Sequence, residues 1–309
     1  MHLANDVRPL TVVELEYVVL LQPKLITFLI HDPEVVPEYP AQIGMLSQQL
    51  PNCLFVGRSY IERAILMDPA EAVNRIARQV APYLFLGPRL VVQTLNEPNH
   101  PVEGGVTDPL YISSWCYVVQ SVMEQMIPGI QVAIPPLWPD DQGKYRAIYT
   151  EIARYGKLWS PYICVHAYER AGNWEDIRWL SELFGSTPLV TEWDSWTPTG
   201  YASYQECLAK IGDVRHSWFL LDSDTPEFQQ FSWLKNEKAI LKEVSMPEFI
   251  FGNKTLAEKL GANIVGEPVE DDDYFPTGNH SLQVTTKGFI LYSKKGNISQ
   301  FHAAALPKA

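Results

Sequence analysis

Two glutamates each follow an apolar run that is typical of a buried strand. Glu97 follows residues 90–95 in the segment Leu-Asn-Glu-Pro, and Glu192 follows residues 188–191. Apolar runs without alternation indicate strands that are covered on both faces, as in parallel sheets. The two side chains are 95 positions apart (192 − 97), and three predicted strand-and-helix units separate them. Because functional groups collect at the carboxyl ends of parallel strands, we expect both carboxylates to face one mouth.

A facing pair of carboxylates can perform acid–base and nucleophilic chemistry. In glycoside hydrolysis one carboxylic acid protonates the leaving oxygen, while the other carboxylate attacks the anomeric carbon. A retaining pair lies roughly 5 Å apart, and its surroundings keep the two pKa values different. The positions of the two glutamates are also compatible with structural roles. Asn-Glu-Pro occurs as a turn after a strand, and Glu192 could cap a following helix.

The elements that would position these residues alternate between short apolar strands and amphipathic helices, which indicates parallel β/α units. We place an additional first strand at residues 2–5, with residues 11–21 as its helix, to complete a set of eight. The sequence therefore predicts an α/β fold, a (β/α)8 TIM barrel. An open doubly wound sheet is the alternative, but no glycine-rich phosphate loop follows any strand. The other predicted strands are 25–30, 54–57, 90–95, 131–134, 162–166, 189–191 and 217–221.

Helix signals support the same arrangement. Asp68-Pro69 and Asp108-Pro109 each combine an N-cap acid with a proline at the first helical position, and each precedes apolar residues at helical spacing. Further helices are predicted at residues 145–155, 174–183, 201–211 and 226–241.

The pattern changes in the last quarter of the chain. Long helical stretches give way to closely spaced glycines, and residues 282–285 and 289–292 are typical of hairpin strands. We predict a catalytic barrel over residues 1–245 and a small β-rich accessory module over residues 246–309. The alternative is that the second segment packs as an extension of the barrel.

Composition restricts the partners. The net charge is −12, and no run of basic residues is present, which argues against a nucleic-acid partner and favours a neutral or cationic substrate.

The most apolar N-terminal stretch is interrupted by charged residues, so we expect no membrane span. No metal-ligand or phosphate-binding motif is found, and no cofactor is expected. No signal peptide is visible, so a cytoplasmic location and secretion after trimming both stay open. The four cysteines form no CxxC pair and are predicted to be buried thiols.

The segment Leu95-Asn96-Glu97-Pro98, together with Thr191-Glu192 three strands later, resembles glycoside hydrolase clan A. Members of that clan are retaining enzymes on (β/α)8 barrels. The resemblance covers about residues 1–240 and implies that Glu97 is the acid/base, that Glu192 is the nucleophile and that Asn96 binds the sugar 2-hydroxyl.

The resemblance extends to other positions. It implies that His166 lies near the sugar, that Tyr168 hydrogen-bonds the nucleophile and that Trp218 forms a floor for the sugar. Clan members carry an arginine near the nucleophile after the second strand. Arg58 is the nearest match, but it falls on the predicted third strand. Two further candidates for substrate contact are Trp193 and Trp138. They are chosen by their position in the sequence alone, and a role in packing at the rim of the barrel is equally compatible with that position.

These observations favour a retaining β-glycosidase that acts on a β-linked carbohydrate. One alternative is a bacterial cell-wall lytic glycosidase of phage type, because residues 256–261, 265–268 and 286–290 are faintly similar to the LGFP repeats of wall-associated hydrolases. A second alternative is a non-catalytic carbohydrate-binding barrel, since fold does not fix function.

Overall fold

The computed structural model describes residues 1–3, 8–139, 143–154, 161–168, 173–194, 214–232, 273–274, 280–285, 288–293 and 298–303. The chain divides into two compact units, Met1–Asn236 and Glu237–Ala309. Each unit is considered by itself below.

The first unit alternates strands and helices. Its strands are β1 (Leu25–Ile30), β2 (Leu54–Ser59), β3 (Leu90–Gln93), β4 (Gln131–Ala133), β5 (Tyr162–Tyr168), β6 (Thr187–Asp194) and β7 (Arg215–Trp218). Its helices are α1 (Val12–Leu21), α2 (Tyr39–Gln49), α3 (Pro69–Val80), α4 (Pro109–Met126), α5 (Lys144–Arg154) and α6 (Asn173–Phe184), with 3-10 turns at Ala64–Leu66, Ala81–Arg89 and Gln229–Phe231.

All strand pairs in this unit are parallel. One sheet has the order β1-β2-β3-β4 and another has the order β5-β6-β7. Every residue of β1, β2 and β3 is buried, as expected for strands covered on both faces. The predicted α/β fold is confirmed.

Backbone hydrogen bonds connect the two sheets. The amide of Ile134, just after β4, donates to Tyr162 O at 3.1 Å, and the amide of Cys164 returns a bond to Ile134 O at 2.8 Å. The predicted first strand is present as a short parallel pairing, in which Leu3 N donates to Thr27 O at 2.8 Å. Leu221, just after β7, donates its amide to His2 O at 2.8 Å.

Helix starts follow the capping signals. The Asp68 carboxylate accepts from the amides of Ala70 and Glu71, and the Asp108 carboxylate does the same at the start of α4. Helix α2 was not predicted from the sequence, because its apolar spacing is weak and Pro40 lies in its first turn. Proline is tolerated there, since the first helical amides have no partner within the helix.

Two other boundaries differ from the prediction. The helix predicted at 226–241 is not α-helical over residues 226–232, which form turns and a 3-10 segment. Its remainder and the helix predicted at 201–211 lie outside the described residues. The strand predicted at 217–221 is observed as Arg215–Trp218.

A glycine allows β1 and β2 to pack closely. A Cβ atom at Gly57 in β2 would lie 2.3 Å from Ile30 Cδ1 of β1, which no real side chain accommodates without movement. The neighbouring residue, Arg58, is thereby held on a strand with little freedom to shift.

The second unit contains an antiparallel sheet of β8 (Asp273–Tyr274), β9 (His280–Thr285), β10 (Gly288–Ser293) and β11 (Ile298–Ala303), in the order β11-β10-β9-β8. The two predicted hairpin strands correspond to β9 and β10. Of the LGFP-like segments, 256–261 and 265–268 lie outside the described residues.

Candidate active site

The structure brings the two predicted glutamates to one histidine. Glu97 follows β3, Glu192 lies in β6 and His166 lies in β5, and all three are nearly or fully buried. His166 Nδ1 is 2.7 Å from Glu97 Oε1 and 3.5 Å from Glu192 Oε2. Because both oxygens approach the same nitrogen, Glu97 Oε1 and Glu192 Oε2 are at most 6.2 Å apart, a spacing at which both carboxylates can reach one glycosidic bond.

The backbone at Glu97 is unusual. Its φ of 41° lies in the left-handed region, which costs a residue with a side chain roughly 1–2 kcal/mol. The turn that follows is closed by hydrogen bonds from His100 N to Glu97 O at 2.7 Å and from Val106 N to Pro98 O at 3.0 Å. These bonds hold the strained position and aim the side chain back over the end of β3.

Arg58 supplies a positive partner for Glu192. It lies in β2 and donates from Nη1 to Glu192 Oε1 at 2.8 Å, and each side chain is only 10% exposed. With residues 1–3 counted as the first strand, Arg58 is on the third, so it reaches the predicted carboxylate from a strand other than the one expected in the clan.

His166 is biased towards its charged form. Burial by itself lowers the pKa of His166, but the negative charges of Glu192 and Glu97 and the hydrogen bond to Glu97 outweigh burial and raise the pKa above its usual value. In its protonated form the ring donates from Nδ1 to Glu97 Oε1, which is 2.7 Å away.

His2 is a site residue that sequence reasoning missed. Its ring is fully buried, with Nε2 3.8 Å from Glu192 Oε1. Burial lowers the pKa of His2 to about 4, against the opposing charge of Glu192, so its ring is neutral at neutral pH. His2 therefore fills space beside Glu192 without neutralising it.

Asn96 is held by a third carboxylate. Its Nδ2 donates to Glu103 Oε1 at 2.9 Å, and the same oxygen is 3.8 Å from Arg58 Nη2. A longer contact of 3.4 Å joins Gln93 Nε2 to Asn96 Oδ1. Glu103 lies in the irregular loop after Glu97, and no motif or strand position singled it out in the sequence.

A cavity of about 180 Å³ opens next to these residues. Tyr60 and Val102 contribute exposed apolar surface to its wall, at 47% and 68% exposure, although neither was predicted as a site residue. Its polar wall is formed by Arg58, Ser59, Glu62, Thr94, Asn96 and Glu103.

The predicted tryptophans have different placements. Trp193 is fully buried, and its ring packs edge-on against His216 at 5.0 Å, so a sugar cannot reach its face. Consecutive residues of a strand point to opposite faces of the sheet. Because Glu192 points inward, the next residue, Trp193, points outward. Trp138 is half-buried, with its backbone N and O both bonded to the Asn99 side chain, and its ring packs on His100. Trp138 thus supports the loop that carries Glu97.

Two predicted residues are described only by their backbone. Tyr168 ends β5 opposite Asp194, and Trp218 ends β7 opposite Trp193. Their side chains lie outside the described part of the structure.

Other kinds of site were also sought. Among the described residues, no group of three or more His, Cys, Asp or Glu side chains is arranged to hold a metal ion. The helices in the described ranges are all too short or too polar to cross a bilayer. Cys53, Cys116 and Cys164 are buried free thiols, as predicted, while Cys207 lies outside the described residues.

The fold is similar to that of known glycoside hydrolases. A GH39 β-xylosidase from Caulobacter crescentus aligns with a TM-score of 0.50 and 14% identity, over 91% of this chain and 72% of that one. The GH39 enzyme from Xanthomonas axonopodis pv. citri aligns with a TM-score of 0.51 and 13% identity, over 95% of this chain and 71% of that one. No family model and no curated protein sequence matches the chain. At such identities the likeness concerns the fold alone.

Proposed function

We propose that the protein is a retaining β-glycosidase in which Glu192 is the nucleophile and Glu97 is the acid/base. The proposal is carried by the contacts of both carboxylates with His166 and by the Arg58 guanidinium, which lies 2.8 Å from Glu192 and pairs, among the described residues, with Glu192 rather than with Glu97. The limit of 6.2 Å between Glu97 Oε1 and Glu192 Oε2 is compatible with the roughly 5–5.5 Å of retaining pairs.

The surroundings of each carboxylate suit its role. Arg58 stabilises Glu192 as an anion, which is the form that attacks the anomeric carbon. Glu97 in its acid form passes its proton to the glycosidic oxygen as that bond breaks, and His166 Nδ1, 2.7 Å from Glu97 Oε1, is placed to exchange a proton with it. The first step releases the leaving alcohol and forms a glycosyl ester on Glu192. In the second step Glu97 takes a proton from water, and the resulting hydroxide displaces Glu192 with a second inversion.

The proposal includes a closed barrel of eight strands over the first unit. The hydrogen bonds Ile134–Tyr162 and Leu221–His2 support it, because they join the sheets at both edges. A small cluster of buried side chains also supports it, since residues from β1 to β6 pack together only around a common axis. That cluster consists of Leu25, Leu54, Val56, Val91, Ala133, Cys164 and Leu189.

The proposed substrate is a β-linked oligo- or polysaccharide, bound without nucleic acid, membrane or cofactor. We assign catalysis to residues 1–245 and a glycan- or wall-binding accessory role to residues 246–309, whose antiparallel sheet and LGFP-like segments support this division. Co-sedimentation of residues 246–309 with insoluble glycans and purified cell walls tests the accessory role. No enrichment over a non-binding control protein would remove it.

The test of the catalytic proposal is hydrolysis of a panel of aryl β-glycosides and β-glycans. We expect Glu192→Gln to lose nearly all activity, and Glu97→Gln to retain more on substrates with good leaving groups, which need no protonation. Glu38→Gln is a matched control, because Glu38 is exposed at the start of α2 and no catalytic role is assigned to it. Equal activity of all variants would refute the site.

The stereochemical outcome is a separate test. Proton NMR of the first product formed distinguishes β-anomer release, which the double displacement requires, from α-anomer release, which a single displacement gives. Initial release of the α-anomer would refute the retaining mechanism while leaving a glycosidase in place.

A further inference from the structure

The cavity lined by Arg58, Asn96 and Glu103 carries more negative than positive charge, and it reaches the proposed catalytic pair only through Arg58 and the neighbours of Glu97, since neither glutamate of the pair lines it. Two carboxylates, Glu62 and Glu103, lie on its wall together with one guanidinium, that of Arg58. That guanidinium is already bound to Glu192 at 2.8 Å and is 3.8 Å from Glu103. An anionic sugar entering this space would meet net repulsion.

Glu103 has capacity for a stronger partner. Its carboxylate accepts one bond from a neutral donor, Asn96 Nδ2, and its only ion-pair contact within the described residues is the one with Arg58 at 3.8 Å. The side chain is 25% exposed, so it is partly removed from water yet reachable from the cavity. Carboxylates in such settings form their strongest hydrogen bonds with charged donors.

The wall also offers a surface for a sugar ring. Tyr60 lines the cavity and is 47% exposed, with its ring 5.0 Å from that of His31, so it adds aromatic surface of the kind that packs against the C–H groups of sugars. The cavity volume of about 180 Å³ corresponds to on the order of ten water positions, which is room for one sugar ring.

We propose that this cavity binds a sugar with a protonated amino group, and that Glu103 selects it. The inference rests on the proposed function, because Glu103 is bonded to Asn96, the residue that precedes the proposed acid/base Glu97. An ammonium group has three donors and no acceptor, which matches the Glu103 carboxylate and the Asn96 carbonyl oxygen. A hydroxyl in the same place gains less from Glu103, and an N-acetyl group carries no charge for it to bind.

The experiment compares matched substrates at about pH 6, where the sugar amine is protonated. We would measure kcat/KM for 4-nitrophenyl β-glucosaminide and β-galactosaminide against the corresponding β-glucoside and β-galactoside. The amino group changes intrinsic reactivity equally for every variant, so the amino-to-neutral ratio isolates recognition. We expect Glu103→Gln to lower this ratio about 10- to 100-fold, the scale of a charge-assisted hydrogen bond, and Glu38→Gln to leave it unchanged.

A calorimetric titration with glucosamine, galactosamine, glucose and galactose provides a readout that needs no turnover. The inference predicts that wild type prefers the amino sugars and that Glu103→Gln loses this preference. A change of less than about threefold in both the kinetic and the binding ratios would overturn the selection by Glu103. If neutral glycosides are cleaved in a Glu192-dependent way without an amine preference, only this inference fails. If no glycoside is cleaved yet the amino sugars bind through Glu103, only the proposed function fails.

Discussion

The ion pair between Arg58 and Glu192 allows a quantitative test, because the first unit contains a second pair of nearly equal length in a different setting. Arg58 and Glu192 are 2.8 Å apart with side chains 10% exposed, whereas Arg178 and Glu182 are 2.9 Å apart with side chains 89% and 64% exposed. Distance is thus matched, and burial is the variable that differs between the pairs.

The expected energies follow from burial. At 2.8 Å two unit charges attract by about 6 kcal/mol at an effective dielectric constant of about 20, and by about 1.5 kcal/mol in bulk water. Desolvation offsets part of the first value, which leaves a coupling of about 2–3 kcal/mol for Arg58 and Glu192. The exposed pair, four residues apart on α6, should couple by only about 0.3–0.5 kcal/mol.

The measurement is a pair of double-mutant cycles in chemical denaturation. One cycle uses Arg58→Met and Glu192→Gln, and the control cycle uses Arg178→Met and Glu182→Gln. All nine tryptophans precede residue 237, so tryptophan fluorescence follows the unfolding of the first unit alone. The other contacts that each substitution removes are lost in both the single and the double variant, so they cancel in the coupling energy. A coupling at the buried pair no larger than that at the exposed pair would refute our account of how Glu192 is held as an anion.

Three further predictions concern the frame of the site. Gly57→Ala should lower the free energy of unfolding by about 1–3 kcal/mol in chemical denaturation, because the new methyl group meets Ile30 Cδ1 at 2.3 Å in the buried core; unchanged stability would show that the Ile30 side chain can turn away without loss of packing. The folded-state pKa of His2, about 4, lies below its unfolded value of 6.5, so the unfolded state binds more protons between these two pH values. The free energy of unfolding therefore decreases as the pH is lowered from 6.5 to about 4, by on the order of 3 kcal/mol in total. His2→Gln should flatten this slope in urea titrations at several pH values, and an identical slope would show that His2 is not the group responsible. The folded-state pKa of His166 is raised, so its contribution to stability is full below the unfolded value and disappears as pH rises through the folded value; NMR titration of Glu97→Gln should find that pKa lower than in wild type, and an unchanged pKa would contradict the pairing.

The positions of the two glutamates could be predicted because strand ends are visible in the sequence. Long apolar runs mark buried parallel strands, and the topology of such strands brings their carboxyl ends together. No further information was needed to predict that residues at those ends lie near one another. For this reason Glu97, Glu192 and His166 meet as expected.

Other site residues could not be predicted, for separate physical reasons. Glu103 lies on an irregular loop, whose path depends on hydrogen bonds such as Val106 N to Pro98 O rather than on periodicity. His2 belongs to a pairing too short to leave a pattern, and it reaches Glu192 only through tertiary contact. Trp193 could have been assigned correctly, because strand alternation places it on the face opposite to Glu192.

The hydrogen bond from Leu221 to His2 has a consequence for synthesis of the chain. A ribosome that adds roughly 5–20 residues per second needs on the order of ten to forty seconds between making these two positions. During that interval the first residues can pair with β1 on one side only, and contacts between such distant positions also form slowly in an isolated chain. His2 and Glu192 therefore take their final places late, when the nascent chain already contains nearly all of the first unit.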